Sequence, residues 1–128
     1  MTAKKTMKAV MWEGKPFSVA VHDIPKPKII KATDAVVRVT TAAICGTDLH
    51  IYHGVFGGTE APYSLGHEAV GIVTEIGSAV DRFKVGDRVS IPCLPDADQL
   101  PIENELQPVY TIYGVGNLGG DLGGCQGK

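Results

Sequence analysis

Four side chains with metal-binding or acid–base chemistry fall within six residues of the sequence, in the stretch "CGTDLH". They are Cys45, Thr47, Asp48 and His50. A thiolate is a soft metal ligand, and the hydroxyl, carboxylate and imidazole can hold or move protons. A thiol between a buried strand and a helix can face a cleft, where the helix N-terminus favours its thiolate form. The alternative is a packed structural cysteine followed by an ordinary capped helix.

A second stretch, "SLGHEAVG" (64–71), places His67 and Glu68 at the junction between a loop and a strand. Adjacent residues of a strand face opposite sides, so both side chains reach one site only where the junction is irregular. A histidine ligand supported by a carboxylate is a common metal-binding arrangement. The alternative is a half-buried histidine whose nitrogens bond to the backbone.

The two stretches together predict more than either alone. Cys45 and His67 lie 22 residues apart, each at the end of a predicted strand and each followed by a carboxylate. Sulfur combined with imidazole suits zinc. The pair therefore predicts a zinc site formed by two loops of one domain.

The elements that must position these residues are short and rich in valine and isoleucine. Strands are predicted over 7–12, 17–21, 34–44, 68–77 and 85–92, with a hairpin turn at "EGKP". In the third strand, Val37 and Val39 face one side and Arg38 and Thr40 the other. A short helix has Thr47 as its N-cap and Asp48 in its first turn. Strands at this spacing predict a mostly β domain, a small barrel or sandwich.

Composition excludes several classes of protein. The chain has 128 residues and a net charge of −2, which gives no electrostatic case for binding nucleic acid or an anionic membrane. No apolar run approaches the roughly 20 residues of a membrane span, and the start has no apolar signal region. A cytoplasmic protein is expected. The three cysteines form no C-x-x-C pair, so we expect no disulfide framework.

The sequence resembles the zinc-dependent medium-chain alcohol dehydrogenases. The resemblance runs through "MKAVMWEG", "VVRVTTAAICGTDLHIYHG" and "LGHEAVGIVTEIGSAVDRFKVGDRVSIPC" and covers residues 7–93. It implies a GroES-like β-barrel with one or two short helices, a catalytic zinc ion beside the barrel, and hydride transfer to NAD(P).

The resemblance also implies roles for the metal-site residues. Cys45 and His67 correspond to two catalytic zinc ligands, and Glu68 lies near the metal, either behind the ligands or as an exchangeable ligand. Asp48 resembles the carboxylate that orients the ligands. The family's third ligand comes from a position well downstream, past residue 128, so zinc binding by these residues is expected to be weak or partial.

Two further residues resemble the family's proton path. Thr47 corresponds to the hydroxyl that takes the proton of the alcohol, and His50 to a later step towards solvent. Cys93 is expected to be an ordinary strand-end residue. A structural zinc site is not expected, because residues 94–124 contain no cysteine.

The last part of the chain contains "GVGNLG" (114–119), which matches the glycine pattern of a dinucleotide-binding turn. Nine residues follow it, too few for the helix and second strand that such a site needs. A glycine-rich loop is therefore expected. Residues 1–128 are expected to form a single GroES-like domain that is incomplete at its C-terminal end and lacks the family's Rossmann cofactor domain.

The resulting expectation is the catalytic-domain portion of an alcohol or polyol dehydrogenase acting on a small alcohol or aldehyde. The isolated chain is expected to be inactive and to expose apolar barrel surface that favours a homodimer. The alternative is a stand-alone GroES-like module, with a binding or structural role and a relic metal site.

Overall fold

A computed structural model of the protein describes residues 5–93. These residues form six strands and one helix. In chain order they are β1 (Thr6–Trp12), β2 (Val19–Pro25), β3 (Ala35–Ala42), α1 (Gly46–Tyr52), β4 (Tyr63–Ser64), β5 (Ala69–Ile76) and β6 (Arg88–Ile91). The predicted loop at "GVGNLG", the acidic segment 94–108 and Cys125 lie outside the described residues.

The strands form two three-stranded sheets, with the orders β2-β1-β4 and β3-β5-β6. Every pairing is antiparallel. The predicted mostly β, GroES-like fold with a short helix is confirmed. Over residues 5–93 the two sheets remain separate, so the strands do not close into a barrel. The two-residue strand β4 is an addition to the predicted set, because so short a run carries no alternation.

Two compensating bulges shape the pairing of β3 with β5. Val39 pairs with Gly71 but Thr41 pairs with Val70, so Thr40 is an extra residue on β3. Nearer the other end, the pairing skips Thr74 of β5. Each threonine hydroxyl donates to a carbonyl of the opposite strand, at 3.1 Å for Thr40 and 3.0 Å for Thr74. The side chains thus stay bonded to the sheet where the regular ladder is interrupted.

A small apolar core holds helix α1 against the first sheet. Trp12, Ile51 and Leu65 form a buried cluster, with Val10 and Tyr63 packed against it. Ile51, from the helix, is completely buried. Burial raises the pKa of Tyr63 above its usual 10.0, so this hydroxyl stays neutral to a higher pH than that of an exposed tyrosine.

The turn before β3 is closed by Asp34. The backbone N–H groups of Ile30 and Lys31 both donate to Asp34 Oδ2, at 2.9 and 2.8 Å. These bonds favour the ionised carboxylate and lower the pKa of Asp34 below its ordinary value of 3.8.

No helix in the part of the chain that the structure describes has the length and apolar character needed to cross a membrane.

Candidate metal centre

Helix α1 begins at Gly46, and its N-cap is Cys45. The prediction that Thr47 is the N-cap is therefore wrong, because the helix starts two residues earlier. Cys45 and Asp48 form a capping box in which the Cys45 N–H donates to Asp48 Oδ2 at 2.9 Å. The spacing Cys-x-x-Asp is the sequence signal for this box. Hydroxyl side chains are favoured at an N-cap, so the sequence favours Thr47. In the structure a thiol, that of Cys45, occupies this position.

The second ligand segment enters its strand irregularly. Gly66 has a φ of 102°, a conformation that favours glycine, and His67 and Glu68 follow it immediately before β5. The strict alternation of strand side chains therefore does not apply at this junction. His67 is buried, with 6% of its surface exposed, whereas Glu68 is exposed.

The three predicted ligands converge. A sulfur, an imidazole nitrogen and a carboxylate oxygen, from Cys45, His67 and Glu68, lie within 4.8 Å of one another. Zinc bonds of about 2.0 to 2.3 Å in a tetrahedron place ligand atoms roughly 3.3 to 3.8 Å apart. Around such an ion, no pair of these ligand atoms would have to approach by more than about 1.5 Å. Its donor types are those that zinc uses in proteins, so the residues fit the metal.

Asp48 connects the two ligand segments. Its Oδ2 accepts the N–H of Cys45, and its Oδ1 lies 3.5 Å from Nδ1 of His67. Only 5% of the Asp48 surface is exposed, so little water competes for this carboxylate. With Nδ1 turned towards Asp48, Nε2 is the nitrogen left for a metal, as in carboxylate–histidine–zinc arrangements.

The two predicted proton-path residues occupy different surroundings. Thr47 is half-buried, and its Oγ1 lies 3.8 Å from the sulfur of Cys45, which donates to it. His50 is exposed in the last turn of the helix. The structure thus brings Thr47 beside the candidate ligands and leaves His50 at the surface.

Cys93 lies outside this cluster. It follows β6 and is exposed. Among residues 5–93 the group formed by Cys45, His67 and Glu68 is the one set of three metal-binding side chains that meets.

Comparison with known proteins identifies the same region. The sequence profile described as "Alcohol dehydrogenase GroES-like domain" matches residues 31–126. A zinc-type alcohol dehydrogenase-like protein of Bacillus subtilis is 50% identical over 67% of this chain and 22% of its own length. One from Schizosaccharomyces pombe is 45% identical over 96% of this chain and 34% of its own length. D-xylulose reductase of Saccharomyces cerevisiae is 38% identical over 75% of this chain and 28% of its own length.

Solved structures give a consistent result. Alcohol dehydrogenase from Thermus sp. ATN1 superimposes with a TM-score of 0.79 and 35% identity, over 93% of this chain and 35% of that one. The chain thus spans between about a fifth and two fifths of the length of the similar proteins.

Proposed function

Since this chain belongs to the family of the alcohol dehydrogenase GroES-like domain, we propose that it forms the metal-binding part of a zinc-dependent, NAD(P)-linked dehydrogenase. The substrate class is a small alcohol or polyol, oxidised to an aldehyde or ketone, or the reverse. The observation that carries the proposal is the convergence of Cys45, His67 and Glu68 within 4.8 Å. In this proposal NAD(P) binds to a part of the dehydrogenase that lies outside the metal-binding domain. The similar proteins are long enough to contain such a part.

We propose that Cys45, His67 and Glu68 hold zinc. When bound, the ion supplies Lewis acidity that lowers the pKa of the alcohol, so that its carbon can release hydride to the nicotinamide. Asp48 accepts the N–H of Cys45 and places its Oδ1 3.5 Å from Nδ1 of His67, so this carboxylate faces both ligand segments before metal arrives.

The proton of the alcohol passes, in this proposal, to Oγ1 of Thr47. What supports this role is that the Thr47 hydroxyl lies 3.8 Å from the Cys45 sulfur, beside the candidate ligands. As Thr47 takes this proton it gives up its own hydroxyl proton to a ring nitrogen of His50, which is exposed on the same helix and releases a proton to solvent.

The test is a titration of the 128-residue chain with Co²⁺, whose bond to a thiolate absorbs in the near ultraviolet. We expect weak binding with this band in the wild type, and its loss in Cys45→Ser. The matched control is Cys93→Ser, which removes an exposed cysteine outside the cluster and leaves the band unchanged. Equal bands in Cys45→Ser and wild type would overturn the proposal. Stoichiometric zinc that survives a mild chelator would contradict the expected weak binding. A folded wild type with no Co²⁺ binding would instead favour a module with a relic site.

We also propose that the domain self-associates through apolar surface. Val19 and Val21 of the edge strand β2 are 43% and 63% exposed. Val21 also lines an open, mainly apolar groove between β1 and β3, together with Ala9, Val10 and Val39. Exposed strand edges and apolar patches of this kind favour pairing of two copies. Sedimentation velocity at increasing concentration tests this, and a monomer at every concentration would contradict it.

A further inference from the structure

The C-terminal end of helix α1 is capped in an unusual way. The helix has four final carbonyls that lack partners further along it, those of Leu49, His50, Ile51 and Tyr52. The first three accept from the residues that follow the helix, namely His53, Val55 and Gly54. Gly54 has a φ of 74°, as expected for a Schellman motif. The Tyr52 carbonyl is the one that this local motif leaves over.

That last carbonyl is capped from a distant part of the chain. The N–H of Phe17, in the turn between β1 and β2, donates to the Tyr52 carbonyl at 2.6 Å. Phe17 has a φ of 61°, a left-handed conformation that a bulky side chain rarely adopts. Such a conformation persists only where surrounding contacts hold it, so the contact with the helix must outweigh the strain.

The Phe17 side chain adds to this contact. Its ring meets the rings of Tyr52 and His53 edge-on, with centroids 5.5 and 5.3 Å away. The neighbouring Pro16 packs so closely on Gly54 that a Cβ there would lie 2.8 Å from the proline ring. The tip of the hairpin therefore contacts the end of the helix through both backbone and side-chain atoms.

These contacts affect the candidate metal centre because the helix that carries Asp48 is short. Seven residues make about two turns, too few to be stable without tertiary contacts. Its direction is set at one end by the capping box of Cys45 and Asp48, in the middle by buried Ile51, and at the other end by Phe17. We propose that Phe17 is a positioning residue for the metal centre: by holding the end of helix α1, it keeps Asp48 between Cys45 and His67. The inference rests on the proposed zinc site and concerns a residue that lies outside it.

The experiment compares Co²⁺ affinity with thermal unfolding in four variants of the 128-residue chain. Phe17→Ala removes the ring and keeps the strain. Phe17→Gly removes the ring, relieves the strain and keeps the N–H donor. Phe17→Tyr retains the aromatic contacts. Phe83→Ala is the matched control, because Phe83 is also a partly exposed phenylalanine, at 47% against 66%, and lies in the turn before β6.

We expect Phe17→Ala and Phe17→Gly to weaken Co²⁺ binding by about tenfold, the lower end of the effects seen for groups that act through a ligand. The thiolate band at saturation stays unchanged, since the ligands are the same. Phe17→Gly should unfold at a temperature nearer to wild type than Phe17→Ala does, yet bind Co²⁺ as weakly. A role in stability alone would make affinity follow the unfolding temperature. Phe17→Tyr and Phe83→Ala should bind as wild type does.

Equal affinity in Phe17→Gly, Phe83→Ala and wild type would overturn the inference. Should Phe17→Ala fail to fold, Phe17→Gly and Phe17→Tyr still decide it, because glycine relieves the strain and tyrosine keeps the aromatic contacts that offset it. Failure of the proposed function is a different result, in which the wild type itself binds no Co²⁺ through Cys45.

Discussion

The candidate metal centre has a buried side and an exposed side. His67 and Asp48 are 6% and 5% exposed and face each other, whereas Glu68 and His50 lie open to solvent. Buried polar groups need their partners, because water cannot replace a lost contact. Exposed groups are solvated in any arrangement. The buried side should therefore determine whether a metal binds at all, and the exposed side how tightly it is held and how protons leave.

The largest effect should come from the buried ligand. His67→Ala removes an imidazole and leaves the Asp48 carboxylate without its neighbour, and the Co²⁺ affinity should fall by more than about 100-fold, beyond the range for groups behind a ligand. Titration monitored by the thiolate band measures this. A loss of less than tenfold would show that the buried side does not control binding.

The next largest effect is expected for Asp48→Asn, which tests the buried side without removing a ligand. The amide oxygen can still accept from the Cys45 N–H, so the start of the helix should remain capped. The amide NH₂ would then face Nδ1 of His67 and donate to it, which places the imidazole proton on Nε2. A protonated Nε2 cannot bind a metal, so affinity should fall by about 10- to 100-fold.

Nitrogen NMR of the imidazole measures the tautomer of His67 directly in this variant. If Asp48→Asn shows the wild-type tautomer and the wild-type Co²⁺ affinity, Asp48 has no role in metal binding. Circular dichroism is the control that the helix remains formed.

A smaller effect is expected on the exposed side. Glu68→Gln keeps the size of the side chain and an oxygen ligand but removes a charge, and solvent screens charge interactions at the surface. We expect Co²⁺ affinity to fall by about threefold to tenfold. If Glu68→Gln lost as much Co²⁺ affinity as His67→Ala, Glu68 would control metal binding as the buried residues do.

The smallest effect is expected for Asp34, a carboxylate that caps a turn away from the site. Because the pKa of Asp34 is lowered in the folded state, this carboxylate stabilises the fold fully at pH values above its ordinary pKa of 3.8. The stabilisation is lost as the pH falls through the pKa of the folded state. Asp34→Asn keeps the oxygen that accepts both N–H groups, so the variant should be slightly less stable near neutrality. The difference from wild type should shrink below about pH 4. Urea unfolding across pH measures this, and Co²⁺ affinity should not change.

The sequence allowed the convergence of Cys45 and His67 to be predicted, because Cys45 follows one apolar run, His67 precedes another, and the types of metal ligand can be read from single residues. It also allowed the long strands and the short helix to be predicted from valine-rich alternation and glycine punctuation. The N-cap was misassigned because propensity favours a hydroxyl, whereas here a thiol and Asp48 share the role.

Other features depend on distant partners that no local pattern carries. Phe17 is separated from Tyr52 by more than thirty residues, and only the folded chain brings its N–H to that carbonyl. Strand β4 exists because two residues happen to lie alongside β1. The predicted alternation of β3 holds for Val37 and Val39 and then changes phase, because Thr40 is an extra residue.

The bulge at Thr40 has a consequence for changes in the length of the gene. A deletion that removes the codon for Thr40 leaves Thr41 opposite Val70 and regularises the ladder, so the strand still delivers Cys45 from the same face. A deletion of the codon for Arg38 also removes the bulge, because Thr40 then pairs with Gly71. This deletion moves Val39 to the face on which Arg38 lay and Thr40 to the face on which Val39 lay. Thr40 is therefore the residue of the bulge whose loss changes neither the direction of the metal ligand nor the face on which Val39 lies.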